Sequence, residues 1–251
     1  MCARRPALST QGVRKKGVLR AMSAVPVETS RDRRRQAIID VARRIFLENG
    51  YGATSMSSIA AAVGGSKGTL YAYFRSKTEL FSAVVQDISG QFGETEFSLA
   101  VQGSDLRRDL TAIGARLMTF IRRPEAMAMQ RLVIGEAERF PELGQAFYDA
   151  GPRRKLAALA SAFETLMEQG RLRRGDPTLA AEHFFALCQA RGHHRVLWNV
   201  GPAPDAKHLR AEIEISVQAF CDAYAPNLAP LPVAERQGCE AQAKPRGLRT
   251  V

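Results

Sequence analysis

Between Ser66 and Phe74 the chain reads SKGTLYAYF, a stretch in which side chains that can meet a polyanion alternate with two that must be buried. Leu70 and Phe74 stand four residues apart, so on a helix they share one face. Lys67, Gly68, Thr69, Ala72 and Tyr73 then point outward, with Tyr71 near the boundary. A lysine, a threonine and two tyrosines on an exposed face that begins with a small glycine suit entry into a major groove. Upstream, Ile59-Ala60 and Gly64 complete the spacing of a helix-turn-helix. The small residue lets the second helix approach, the glycine takes the turn and Leu70 locks the crossing. An ordinary αα-corner with half-buried tyrosines has the same spacing.

Other groupings carry less chemistry. His183, Cys188, His193 and His194 invite a metal reading, but steps of five residues rotate around a helix and leave 183, 188 and 193 on different faces. Glu136 and Glu138, two apart, cannot face each other on a helix. There is no GxSxG, no Walker A and no GxGxxG after a strand, so the sequence predicts neither an enzyme nor a metal or cofactor site. The cysteines at 2, 188, 221 and 239 form no CxxC pair or disulfide framework, which fits a reducing, cytoplasmic setting.

The elements that must position the 66–74 segment are helical. Ile38, Val41, Ala42, Ile45 and Phe46 make one apolar stripe that stops at Asn49-Gly50. Thr54 or Ser55 caps a helix over 56–63, Ser66 caps the next, and Ser76-Lys77-Thr78-Glu79 is a capping box opening a longer one. Further helices are expected over 105–121, 125–139, 142–150, 153–169, from Asp176-Pro177 to about Val200, and over 205–224. Nothing alternates with period two, so the fold class is all-α. A three-helix N-terminal DNA-binding unit would precede a larger helical bundle.

The chain has 251 residues, and its 36 Lys+Arg against 25 Asp+Glu give a net charge of +11. The excess is uneven: residues 1–36 hold ten basic and two acidic side chains. The organisation expected is a disordered basic arm over 1–30, a helix-turn-helix domain over 31–86, a bundle over 87–225 and a flexible tail over 226–251. No apolar run approaches the ~20 residues of a membrane span, so no membrane partner is expected.

From Arg34 to Leu80, through AIIDVARRIFLENGYGATSMSSIAAAVG and SKGTLYAYFRSKTELF, the chain resembles the DNA-binding domain of the TetR/AcrR family of transcriptional regulators. Its second half, at RLVIGEAERFPELGQAFYDAGPRRK, is similar to the ligand-binding domain of AefR-like members. The resemblance implies that Lys67 and Gly68 lie closest to base edges, with Tyr71 near thymine methyls or backbone. Thr69, Tyr73 and Lys77 would hold phosphates, and Ser55 and Ser57 would sit near the opposite backbone. Arg34 and Arg35, with Arg31 and Arg33, would approach the backbone or minor groove. Two departures stand out: Ala72 is small where some members carry a larger contacting side chain, and Gly65 replaces a common turn valine.

The resemblance further implies a homodimer on a palindromic double-stranded operator, released by a small-molecule effector, and most often a repressor. Candidate pocket residues are Met127, Gln130, Arg131, Phe147, His183, Phe184, Gln189 and Trp198. The segments 153–169 and 176–200 resemble the pair that forms the dimer interface. The competing class is a helical small-molecule-binding or enzymatic protein whose N-terminal corner is incidental and binds no specific DNA.

Overall fold

A computed structural model describes residues 29–90, 103 and 105–230; the expected 1–30 arm and 226–251 tail lie outside the described residues except for 29–30 and 226–230. Eleven α-helices occur among them, with no strand. The head comprises α1 (Ser30–Ala53), α2 (Met56–Val63), α3 (Lys67–Tyr73) and the first half of α4 (Lys77–Gly90). The bundle follows as α5 (Leu106–Ile121), α6 (Pro124–Glu136), α7 (Pro141–Ala150), α8 (Pro152–Glu168), α9 (Pro177–Gln189), α10 (His193–Leu197) and α11 (Ala206–Ala223). The all-α, two-part architecture is the expected one.

Local chemistry explains the head's boundaries. Thr29, not anticipated as a cap, accepts from the Asp32 N–H while Asp32 returns the bond to the Thr29 N–H, so α1 starts on a complete capping box. At Gly50 (φ 82°) α1 is interrupted as expected, but a further turn to Ala53 follows. Ser55 and Ser58 cap α2 reciprocally, and Ser66 caps α3. Between them Gly64 takes the left-handed conformation (φ 70°) while the Gly65 and Gly64 N–H groups donate to Ala60 and Ala61 carbonyls, which closes the turn as a Schellman motif. At α4 the expected box is displaced: Ser76 Oγ accepts from the Glu79 N–H, but the Glu79 carboxylate reaches one residue further back, to the Arg75 N–H.

The head's core gathers Ile38, Phe46, Tyr51, Ile59, Leu70, Phe74 and Phe81. Arg43 of α1 pairs with Asp87 of α4 at the flank of that core. Helix α4 packs on both α1 and α7 and so joins the head to the bundle. The bundle's core is an aromatic stack of Phe163, Phe184, Phe220 and Tyr224, with ring centroids 4.4–5.6 Å apart. At Gly114 a Cβ would lie 2.8 Å from Ile213 and 3.2 Å from the Cys188 sulfur, so glycine lets α5 sit hard against α9 and α11. One expectation is corrected: the helix from Asp176 ends at Gln189, and Gly192 in the left-handed region starts a separate short α10.

Candidate nucleic-acid interface and interior pocket

Leu70 and Phe74 are 3% and 1% exposed, so α3 is nailed to the head by the face the spacing indicated. Lys67, Gly68, Thr69, Tyr71 and Ala72 stand on its exposed side, with the Lys67 ammonium 5.9 Å from the Tyr71 ring centre. Thr69 shares a 2.9 Å hydroxyl contact with the capping Ser66. The tyrosines exchange places relative to expectation: Tyr71 is 43% exposed, while Tyr73 packs partly into the core beneath the Arg31 guanidinium. Tyr73 follows Leu70 by three residues, which turns it toward the anchored face.

Gly68 has an informative environment. A Cβ there would meet only the Ser66 hydroxyl, at 3.7 Å, and its backbone is not in the left-handed region. Packing within the chain therefore does not require a glycine in the first turn of this helix. Gly65 differs. The Arg34 guanidinium passes 3.1 Å from where its Cβ would be, so the absence of a side chain seats Arg34 over the α2–α3 turn. Arg35 lies over the Phe74 ring at 5.0 Å. Ser55 and Ser57 are exposed at the start of α2, although Ser55 is already engaged as its cap.

Lys77 is placed differently from the other proposed contacts. Its ammonium donates to the Tyr51 and Thr54 carbonyls, at 2.7 and 2.9 Å, and lies 4.0 Å from the Tyr51 ring centre. Burial lowers its pKa, with Glu136 and Glu142 opposing that shift. The same turn is gripped from the other side. Glu136, at the end of α6, accepts from the Tyr51 and Gly52 N–H groups at 2.7 and 2.6 Å. A Cβ at Gly50 would lie 2.6 Å from one of its oxygens and would displace that carboxylate, while the φ of 82° itself favours glycine. Phe140 closes the joint by packing edge-on against Tyr51. Residues 50–54 are thus held between a cation from α4 and a carboxylate from the bundle. Sequence reasoning did not foresee this clamp, because its partners are backbone groups.

The bundle holds a pocket of about 140 Å³, partly open to solvent, between α4, α5, α6, the α7–α8 junction and α9. Its walls are apolar except for Ser89, Gln130, Lys155 and Gln189. Of the candidate pocket residues, Gln130, Phe147 and Gln189 line it. The other five do not. Met127 is buried beside the wall and Phe184 belongs to the aromatic core. Arg131 donates to the Val196 and Leu197 carbonyls, tying α6 to α10, and His183 shares a 2.7 Å bond with the Tyr224 hydroxyl. Trp198 is 68% exposed on the surface. Lys155 was missed, although its place four residues before buried Leu159 marks it as the charged member of an apolar stripe.

Two further features bear on function. Cys188 is buried among apolar groups, which pushes its thiol up to about 12, and among the described residues no three His, Cys, Asp or Glu side chains gather as metal ligands. Among the same residues no helix is long and apolar enough to cross a membrane.

A capped helix-turn-helix at one end of the chain and a helical bundle with an interior pocket at the other define a DNA-binding regulator. Residues 38–84 match the family described as bacterial regulatory proteins, tetR family, and residues 108–226 match the C-terminal domain of AefR-like transcriptional repressors. A TetR-family transcriptional regulator from Mesorhizobium loti is 32% identical, with a TM-score of 0.69 over 78% of this chain and 99% of that one. The Flavonoid-responsive Regulator FrrA is 28% identical, with a TM-score of 0.66 over 78% and 99%. The HTH-type transcriptional regulator AcrR of Shigella flexneri is 40% identical over 62 residues, 25% of this chain, which spans only 29% of that curated relative. The chain belongs to the TetR family of transcriptional regulators.

Proposed function

We propose that this protein is a dimeric, effector-responsive repressor that reads a palindromic operator through α3 of each head. The observation that carries the reading is the exposed face of α3, with an unconstrained glycine at position 68 beside Lys67. That backbone is free to approach base edges closely, and Lys67 and Tyr71 flank the point of approach. Thr69, Ser57 and the basic run Arg31–Arg35 supply phosphate contacts that fix register without specifying sequence. Lys77 is assigned to the head's internal frame instead, since two of its three donors are taken by the Tyr51 and Thr54 carbonyls. Two heads on a two-fold axis meet half-sites about 34–36 Å apart.

The effector's place in this reading is the bundle pocket; FrrA, whose name makes it flavonoid-responsive, offers a precedent for control by a small organic molecule. Both helices that grip the 50–54 turn also line the pocket, α4 through Val85, Ile88 and Ser89, and α6 through Ala126, Met129 and Gln130. From Gln130 to Glu136 is about 9 Å along α6 at 1.5 Å per residue. A ligand that changes the spacing of α4 and α6 therefore acts on the joint that sets the head's angle.

The dimer surface is assigned to the region bearing exposed Trp198, Val200 and Ile215. It takes in the end of the expected 176–200 segment, and extends onto α11. The apolar face of the expected 153–169 segment is spent in the protomer's own core at Leu159, Phe163 and Leu166. The protein is assigned to the cytoplasm with its DNA.

Fluorescence anisotropy with the DNA upstream of its own gene tests the reading. Specific retention of a palindromic fragment, weakening steeply with salt, is expected. Equal binding to unrelated DNA, or a monomer by light scattering, overturns it.

A further inference from the structure

We propose that Gly65 is a positioning residue for operator binding: by carrying no side chain it seats the Arg34 guanidinium against the α2–α3 turn, where Arg34 takes a backbone phosphate at the edge of the half-site. This rests on α3 being the reading helix. The backbone does not ask for a glycine at 65, because its φ lies outside the left-handed region that Gly64 beside it occupies. Nor does the core crowd it. Among the described residues, and apart from its chain neighbours, the one heavy atom within 4 Å of a Cβ at this position is a guanidinium nitrogen of Arg34, at 3.1 Å. The residue that gains from the missing side chain is therefore Arg34.

Arg34 reaches this place from near the start of α1. Half-buried, it shares a narrow crevice with Ile38, Gly65, Ser66 and Thr69, which sets it beside the first turn of α3. The same stretch of α1 is tied to the far end of α3, with Arg31 over the Tyr73 ring at 5.9 Å and Arg35 over the Phe74 ring at 5.0 Å. Guanidinium groups thus flank the reading helix at both ends. Arg34 is the one at the end that carries Lys67 and Gly68. A guanidinium meets phosphate with a planar fork of donors, and one already packed against the protein loses little freedom in doing so. A branched side chain at 65 would fill the space and turn Arg34 away without straining the backbone.

Fluorescence anisotropy over a salt series tests the seat by a double-mutant cycle, using the full chain with a duplex from upstream of its own gene and one of unrelated sequence. Arg34→Ala should weaken both duplexes about tenfold and make the salt slope shallower by about one unit, as the loss of one phosphate contact does. Gly65→Val should reproduce both changes with a melting temperature near that of the wild type. Added to Arg34→Ala, it should cost less than about twofold more. If Gly65→Val binds like the wild type, or costs as much in the Arg34→Ala background as alone, Gly65 does not act through Arg34 and the proposal is overturned. An unchanged slope in Arg34→Ala overturns it too. Gly65→Leu completes the same cycle should the valine variant not fold. A wild-type chain that binds neither duplex, or both equally, overturns the reading of α3 and this proposal together, whereas the outcomes above overturn this proposal alone.

Discussion

Replacing Glu136 by alanine tests the joint between head and bundle most directly. The substitution removes two short hydrogen bonds from a carboxylate to backbone N–H groups, one on buried Tyr51 and one on exposed Gly52. Hydrogen bonds to a charged group contribute about 1.5–3 kcal/mol each, and a buried donor left without a partner adds its desolvation cost. Water replaces the acceptor at Gly52, so that bond is counted at about 1 kcal/mol, and the Tyr51 bond at about 2 kcal/mol. The loss is thus about 3 kcal/mol, which in a chain of this size lowers the melting temperature by roughly 6–12 °C.

Glu136→Gln should fall between, since one amide oxygen can serve one N–H while the amide NH₂ opposes the other. The functional effect should exceed what instability explains. At a temperature where both proteins are folded, Glu136→Ala should bind operator more weakly, because the two heads no longer share a fixed angle. It should also respond less to effector, while non-specific binding to DNA is unchanged. Chemical denaturation and anisotropy titrations measure these quantities. A stability change under about 0.5 kcal/mol, the scale of an ordinary surface substitution, would refute the clamp. So would an unaltered effector response in a folded variant.

Lys77→Met should destabilise the head by about 1–2 kcal/mol through its two lost carbonyl bonds, yet leave the salt dependence of operator binding unchanged. A slope shallower by about one unit would return Lys77 to the phosphate contacts. Gly68→Ala should raise the melting temperature slightly, since a Cβ there meets only the Ser66 hydroxyl at 3.7 Å and a helical glycine costs up to about 0.5–1 kcal/mol. It should nevertheless weaken operator binding about tenfold or more, as one lost base-edge contact does; retained binding would detach α3 from the groove. His193 is 3% exposed, and burial, with His194 and Arg122 adding to it, lowers its pKa to about 4. Between pH 6.5 and 4 the unfolded chain binds the proton that the folded one refuses, so stability falls as pH falls, by at most about 1.4 kcal/mol per unit. His193→Leu should flatten that part of a stability–pH profile, and an unchanged profile would remove His193 as its source.

How much of this was legible in the sequence depends on whether a feature is made by side chains alone. The α3 face was legible, because Leu70 and Phe74 fix which side is buried and everything else follows by rotation. Helix starts were legible where a cap announces them, as at Ser55, Ser66 and Asp176-Pro177. The break before α10 was not: Cys188 and Leu197 are both buried, so the apolar pattern runs on across Gly192. Nor was most of the pocket wall. Phe184 and Phe147 are the same residue type on amphipathic helices, yet one fills the aromatic core and the other faces a void. Only the packing of several helices decides between them.

The clamp marks the limit more sharply, and also shows what the limit contains. Glu136 and Lys77 are separated by 59 positions, yet both hold the backbone of one short turn. The carboxylate takes N–H groups there and the ammonium takes carbonyls, so each needs the other's side of the turn to stay where it is. Withdrawing either helix by an ångström breaks charged bonds on its own side only, which tilts the turn rather than releasing it. A joint held by opposite charges from α4 and α6 is therefore sensitive to the separation of those helices. That separation is the width of the pocket in which an effector would sit.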